Sequence, residues 1–301
     1  MDQLCGLKQF MQDADVPFAE NEPLKKYTSF KIGGPAKVLA LPKNREQLEK
    51  LLAFCRAEKI KYYVLGLGSN ILFADEGYNG LVICTRGMEE WISVKGNAIT
   101  ASCGVSLMKL CRTALENSLS GLEFAYGIPG SLGGALYMNA GAYGGEMKDV
   151  VEEVTFLDEE GKIRCLSADE LALGYRTSIF EKEDWHILEA RLCLKQGEPE
   201  VIRAKMEELM GKRKDKQPLE YPSAGSTFKR PAGAFAAALI EECGLKGYRV
   251  GDAAVSEKHS GFVVNLGNAT CADVLQVADD VRKIVKEKTG YDLEKEIRVI
   301  V

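Results

Sequence analysis

Eight of the chain's 30 glycines fall within the 25 residues from Gly121 to Gly145, GLEFAYGIPGSLGGALYMNAGAYGG, interleaved with Pro129, Tyr126, Tyr137 and Tyr143. Glycine lets backbone take positive φ and approach a neighbour closely, at an entropic cost that ordinary secondary structure avoids. So dense a cluster predicts tight turns whose backbone N–H groups face an anion such as a phosphate. A plain surface loop fits less well, because Ile128, Leu132, Leu136 and Met138 would then expose too much apolar surface.

A second glycine-rich loop, Gly66-Leu67-Gly68-Ser69-Asn70, comes directly after the apolar run YYVL. It reads GxGxxI and lacks the third glycine of a dinucleotide fingerprint, while the longer cluster lacks the GK[ST] ending of a P-loop. Taken alone, GLGSN is as readily a turn that ends a strand. Two loops of neither standard kind suit one extended ligand touching both, and a dinucleotide such as FAD has that shape.

A chain of 301 residues has room for two or three domains and a sizeable core. Its 46% hydrophobic and 28% charged content is ordinary for a globular protein, and a net charge of −5 counts against nucleic acid as the main partner. No stretch approaches the roughly 18 consecutive apolar residues of a membrane helix. The opening MDQLCGLKQFMQDADVPF is mixed and acidic, unlike a signal peptide. Nine scattered cysteines without a C-x-x-C pair predict reduced, mostly buried thiols in a cytoplasmic protein, with no bound metal.

Periodicity predicts a short N-terminal helix, a helix over Asn44–Lys59 capped by Asn44, and strands at Tyr62–Leu65 and Leu81–Cys84. WISV and AITA form a hairpin around Lys95-Gly96-Asn97, and a helix over Leu107–Asn117 comes after them. VTFLDEEGKIRCL is another hairpin and WHILEARLCL a long strand, so this second lobe is α+β and largely antiparallel. Gln196-Gly197-Glu198-Pro199 marks a boundary, after which a charged helix runs to about Lys216. Further helices are expected near Phe235–Cys243 and from Thr270 to Thr289, the latter ended by Gly290. With FVVN before it and IRVIV after it, the last helix predicts a parallel crossover unit.

In YPSAGSTFKRPAGAF, Ser226 lies between Gly225 and Thr227, with Lys229 and Arg230 close behind, an arrangement suited to an anionic substrate. A serine in such a setting, taken alone, is more often a turn or cap residue. The G-x-S-x-G elbow is missing and the only histidines are His186 and His259, which counts against a hydrolase triad. Arg176 in GYRTSIF and Glu296 in LEKEIRVI would each, alone, be read as surface ion-pair partners, and His259 as a structural histidine.

Together these segments closely resemble the UDP-N-acetylenolpyruvoylglucosamine reductase family. The matching pieces are YTSFKIGGPA (27–36), VLGLGSNILFADEGYNGLVI (64–83), GIPGSLGGALYMNAGAYGGE (127–146), YRTSIF (175–180), AGSTFKRP (224–231), HSGFVVN (259–265) and LEKEIRVI (293–300). Only 50 positions separate Arg176 from Ser226, so the chain resembles the shorter form of the family, without an inserted substrate-binding tyrosine loop.

The resemblance implies an α+β chain with an N-terminal helical segment (1–28), a two-lobed FAD-binding domain of the vanillyl-alcohol-oxidase type (29–195, lobes about 29–85 and 86–195), and an α/β substrate-binding domain (196–301). It implies NADPH-dependent reduction of UDP-N-acetylglucosamine enolpyruvate to UDP-N-acetylmuramate, a cytoplasmic step of peptidoglycan synthesis, by a monomer. Hydride would pass from NADPH to FAD and then to the enolpyruvyl C3. The cofactor positions are Gly66, Leu67, Gly68, Ser69, Asn70, Gly127, Pro129, Gly130, Ser131, Gly133, Gly134, Ala140 and Gly141. Arg176 would hold the carboxylate, Ser226 deliver a proton to C2 and Glu296 act at the same centre. Lys229, Asn139 and Tyr175 would contact substrate. An FAD-dependent alcohol oxidase of the same superfamily and a non-catalytic nucleotide-sugar binding module are the rival readings.

Overall fold

In the computed structural model, which describes residues 3–301, the chain divides into two units interleaved in sequence. Unit 1 comprises residues up to Phe18, Ala40–Leu67 and Ile83–Arg213; unit 2 comprises Ala19–Leu39, Gly68–Val82 and Lys214–Val301.

Caps and apolar faces set the helices of unit 1. Helix α1 (Gln3–Asp13) stacks Phe10 on Phe54 of α2 (Arg45–Ala57), ring centroids 4.3 Å apart. Asn44 caps α2 by accepting from the Gln47 N–H at 3.0 Å, and Leu48, Leu51, Leu52 and Cys55 form its buried face. Ser106 does the same for α3 (Leu107–Glu116), which buries Leu107, Leu110, Cys111 and Ala114. The short α4 (Leu132–Tyr137) starts at Ser131, and the charged α5 (Pro199–Lys216) buries Ile202, Met206 and Leu209.

These helices serve an antiparallel five-stranded sheet in the order Ile163–Ser167, Val151–Leu157, His186–Cys193, Ala98–Ser102, Ile92–Lys95. Alternate residues Leu188, Ala190 and Leu192 of its central strand are buried, the pattern of a sheet with one face against a core. The two expected hairpins and the long strand all lie in this sheet.

Unit 2 holds strands Phe18–Pro23, Pro35–Ala40 and Tyr78–Cys84 for most of their length, neighbours in that order. The first half of the expected N-terminal helical segment is α1, and the second half is the strand Phe18–Pro23 with a 3₁₀ turn at Leu24–Lys26. FAENEP carries no apolar alternation, so nothing in its side chains marks it as a strand.

The predicted crossover unit does not form. Val263–Asn265 pairs antiparallel with Ala253–Val255 in a three-stranded sheet, against which α7 (Cys271–Thr289) packs after α6 (Ala236–Glu242). The last strand, Arg298–Ile300, instead pairs in parallel with Ile71–Phe73. Leu293 and Ile297 lie in one core with Leu72, Phe30 and Ile32 and with Ala253, Val255 and Val263 of the three-stranded sheet, so burial holds the last strand in this core while its backbone pairs with Ile71–Phe73.

Helix α7 is fixed at both ends. Thr270 and Asp273 form a capping box, Gly290 closes the helix in a left-handed conformation (φ 80°), and Val274, Val277, Val281 and Val285 line its buried face. Asp75 adds a second cap from far along the chain, its two carboxylate oxygens accepting from Cys271 N at 2.7 Å and Ala272 N at 3.0 Å. No helix of the described residues is long and apolar enough to cross a membrane. Asp75→Ala removes two charge-assisted bonds at a helix N-terminus, so it should lower stability by about 1–2 kcal/mol. Urea unfolding should show this as an earlier midpoint with the slope retained.

Candidate active site

The loop Gly66–Asn70 begins where strand Tyr62–Leu65 ends, with Leu65 O held by Thr85 N at 2.9 Å. Among the described residues, none of its five backbone N–H groups donates to a protein acceptor. Gly68 is buried and its four neighbours are partly exposed, so these N–H groups are left to bond something other than the protein's own acceptors. Gly68 is required there. At φ 66°, a Cβ would sit 2.2 Å from Tyr27 O, while its carbonyl accepts from Ser29 N at 3.1 Å.

The longer glycine cluster behaves differently from the expectation. Most of its N–H groups are spent inside the protein: Leu132 N on Val105 O (2.8 Å), Gly133 N on Cys103 O (2.8 Å) and Gly134 N on Ser131 Oγ (3.3 Å). Here the glycines serve close packing, since a Cβ on Gly133 would lie 2.9 Å from Cys103 Cβ. The two loops do adjoin, for a Cβ on Gly66 would lie 3.0 Å from Ser131 Oγ. Gly66 and the Ser131 hydroxyl therefore lie side by side within unit 1.

Gly141 and Glu146 end a hairpin whose central residues, Tyr143 and Gly144, have φ of 54° and 90°. Gly141 O accepts from the Arg176 guanidinium at 3.3 Å. Arg176 itself occupies a tight turn closed by Gly174 and Thr177, with φ of 58° and its guanidinium 5.2 Å from the centroid of the half-exposed Tyr175 ring. A non-glycine residue held in this region is strained, and such strain concentrates at functional sites. Asn139, fully buried, holds the turn in place. Its amide donates to Gly174 O (2.9 Å) and Glu146 Oε2 (2.7 Å), and its carbonyl accepts from Lys148 N (2.9 Å). Its hydrogen bonds are thus made to the protein's own groups, and Ala140 N likewise donates to Ala135 O at 2.7 Å.

Ser226 and Glu296 come together in unit 2. Glu296 N donates to Thr227 O and Lys229 N to Glu294 O, each at 2.8 Å, so segment 226–229 runs beside 294–296. Asn70, the last residue of the glycine loop, donates its side-chain amide to Glu296 O at 3.2 Å and accepts from Arg298 N at 3.0 Å. Ser29 completes the connection, bonding Gly68 O through its N–H and Ser223 O through its hydroxyl (2.6 Å). The Lys229 ammonium meets the exposed Glu294 carboxylate at 2.6 Å, a weak surface pair that a phosphate could replace. His259 is structural: its Nδ1 accepts from Gly261 N at 3.2 Å, its ring packs edge-on against Phe262, and burial pushes its pKa down.

Two residues escaped the sequence reading. Ser29 had no signal beyond its place in the matched YTSFKIGGPA segment. Arg213 lies in the charged helix α5, where a solvated face would be expected, yet it is buried. Its guanidinium stands 5.8 Å from the Tyr143 ring centroid, and its Nε would be 3.3 Å from a Cβ on Gly127.

Residues 36–167, which contain both glycine loops, match the FAD binding domain family. A solvent-stable cholesterol oxidase has a similar fold over 61% of this chain and 38% of its own, with a TM-score of 0.50 at 15% identity. The matched domain thus places the chain in the class of FAD-binding proteins. Residues 217–300 match the C-terminal domain of UDP-N-acetylenolpyruvoylglucosamine reductase. A reductase of that name from Caldanaerobacter subterraneus is 53% identical over 93% of this chain and 92% of its own. One from Clostridium perfringens is 48% identical over 98% and 96%. The crystal structure of UDP-N-acetylenolpyruvylglucosamine reductase from Thermus caldophilus covers 95% of this chain and 99% of its own, with a TM-score of 0.81 and 39% identity. The chain belongs to the UDP-N-acetylenolpyruvoylglucosamine reductase family, an FAD-dependent family of peptidoglycan synthesis.

Asn139→Ala would leave three partners of a buried amide unsatisfied and should destabilise unit 1 by about 2–4 kcal/mol. Thermal melting checks the loss, and a larger fall in kcat than in flavin content would show the Arg176 turn loosening first.

Proposed function

We propose that the chain reduces UDP-N-acetylglucosamine enolpyruvate to UDP-N-acetylmuramate at the expense of NADPH, in the cytoplasm. In this reading, residues from about 29 to 195 bind the cofactor and 196–301 the nucleotide sugar. One observation carries it: the open N–H row of Gly66–Asn70 is tied through Asn70 to Glu296, and Glu296 through Thr227 to the Ser226 segment.

Bound FAD supplies the hydride, taken from NADPH and delivered to C3 of the enolpyruvyl group. The protein's own task is then the charge that develops at C2 beside the substrate carboxylate. Arg176 answers the carboxylate, because a guanidinium donates two parallel hydrogen bonds and keeps its charge at any physiological pH. Ser226 gives its hydroxyl proton to C2; a hydroxyl is a weak acid, but an enolate is basic enough to take that proton. Glu296, beside it, hydrogen-bonds at the same centre. Lys229 contributes a cation for the diphosphate, and Tyr175, half exposed next to Arg176, a further substrate contact. Gly66–Asn70 and Ser131 would hold the dinucleotide, and Gly127, Pro129, Gly130, Gly133, Gly134, Ala140 and Gly141 would complete the surface offered to it. Asn139 acts through the turn it supports.

The test is a purified holoenzyme. FAD should be released on denaturation, and NADPH oxidation should depend on UDP-N-acetylglucosamine enolpyruvate; absence of both would sink the proposal. Ser226→Ala should still be reduced by NADPH but lose roughly 10²–10⁴-fold in the second half-reaction, the contribution of a positioned acid. Stopped-flow absorbance of the flavin separates the two half-reactions, and a collapse of the first would give Ser226 a structural role instead.

A further inference from the structure

The paired segments of unit 2 that carry Ser226 and Glu296 also carry two cations and lead to an exposed aromatic ring. Segment 226–229 runs beside 294–296 with Lys229 paired to Glu294; Arg230 follows directly and its guanidinium reaches Phe235, and Tyr291 lies three residues before Glu294. Extended chain from Ser226 to Arg230 spans roughly 13–14 Å. Along the sequence this runs from the proposed proton donor to cations and then a flat ring, and a nucleoside-diphosphate sugar runs from reacting substituent through hexose, diphosphate and ribose to a flat base.

Phe235 is the anomaly in this row. It stands at the residue before α6, where Ser, Thr, Asp or Asn would cap the helix, yet it makes no capping bond. Its side chain is 60% exposed, although a phenylalanine with no other duty is favoured inside. The Arg230 guanidinium lies over one face of the ring, 4.5 Å from its centroid, so the remaining exposure belongs to the other face and the edge. Tyr291, 36% exposed, has its hydroxyl 3.9 Å from where a Cβ on Gly233 would be. An exposed aromatic ring backed by a guanidinium is the construction that proteins use to stack a nucleobase without reading its edges.

We propose that Phe235, backed by Arg230, is the stacking platform for the pyrimidine base of the substrate, and that Arg230 and Lys229 together serve the adjoining diphosphate. This rests on the proposed nucleotide-sugar substrate. It supplies base recognition to a chain whose short Arg176-to-Ser226 interval leaves no room for a long inserted loop.

The experiment uses FAD-loaded enzyme with Phe235→Ala, Phe235→Leu and Phe235→Trp, titrated with UDP and, separately, with inorganic pyrophosphate as a probe lacking the base. Loss of the ring should weaken UDP about tenfold and raise the KM of the enolpyruvyl substrate to match, with kcat within about twofold and pyrophosphate binding retained. Phe235→Trp should restore UDP affinity, and Phe235→Leu, which keeps the apolar bulk, should behave as Phe235→Ala. UDP affinity equal to that of the wild type in Phe235→Leu would overturn the platform, as would equal losses of UDP and pyrophosphate. Failure of the wild-type enzyme to turn over the substrate would instead remove the function on which the platform rests.

Discussion

The parallel pairing of Arg298–Ile300 with Ile71–Phe73 is the contact on which the arrangement of unit 2 depends. It sets the chain just before Arg298 beside the chain just before Ile71, and these are Glu296 and the glycine loop. The few backbone bonds of such a short ladder add little by themselves, since each net hydrogen bond is worth only about 1 kcal/mol. The apolar cluster under it, with Leu72, Leu293 and Ile297, supplies the driving force, and the ladder converts that burial into a fixed register. A slip of one residue would turn Glu296 to the opposite face.

Glycine has different uses in the two loops. In Gly66–Asn70 it leaves N–H groups open, whereas around Gly133 it lets the 103–107 segment lie against the loop and consume them. The denser cluster is thus mainly a packing device with Ser131 at its edge, and the sparse loop is the one whose N–H groups the protein leaves open. Density of glycine in sequence reported close approach, without saying what approached.

How much the residues disclose depends on the range of the interactions involved. Helices α2, α3 and α7 were legible from their apolar periodicity, and the Asn44 cap and the Gly290 stop with them, because such signals act within a turn or so of themselves. The hairpins of unit 1 were legible for the same reason. The partner of the last strand was not, because IRVIV has no feature that distinguishes Ile71–Phe73 from Val263–Asn265. Phe18–Pro23 was hidden by its lack of alternation. At the site, Arg176, Ser226 and Glu296 stood out only through the family resemblance, for each alone reads as a surface residue. Asn139 was expected to meet substrate, and the structure shows its amide bonded to the turn that carries Arg176. Arg213 and Ser29 act across long separations that periodicity does not register.

Those long separations bear on the order of events in synthesis. Asn70 and Glu296 are 226 positions apart, and Ser29 and Ser223 are 194 apart. Contacts so distant in sequence form late, after the loop-closure entropy between them has been met. All of unit 1 lies before Lys214, so it can begin to consolidate while the ribosome is still at work. The glycine loop reaches its final setting only once Arg298 has emerged, so a segment laid down early in synthesis is among the last parts of the chain to be fixed.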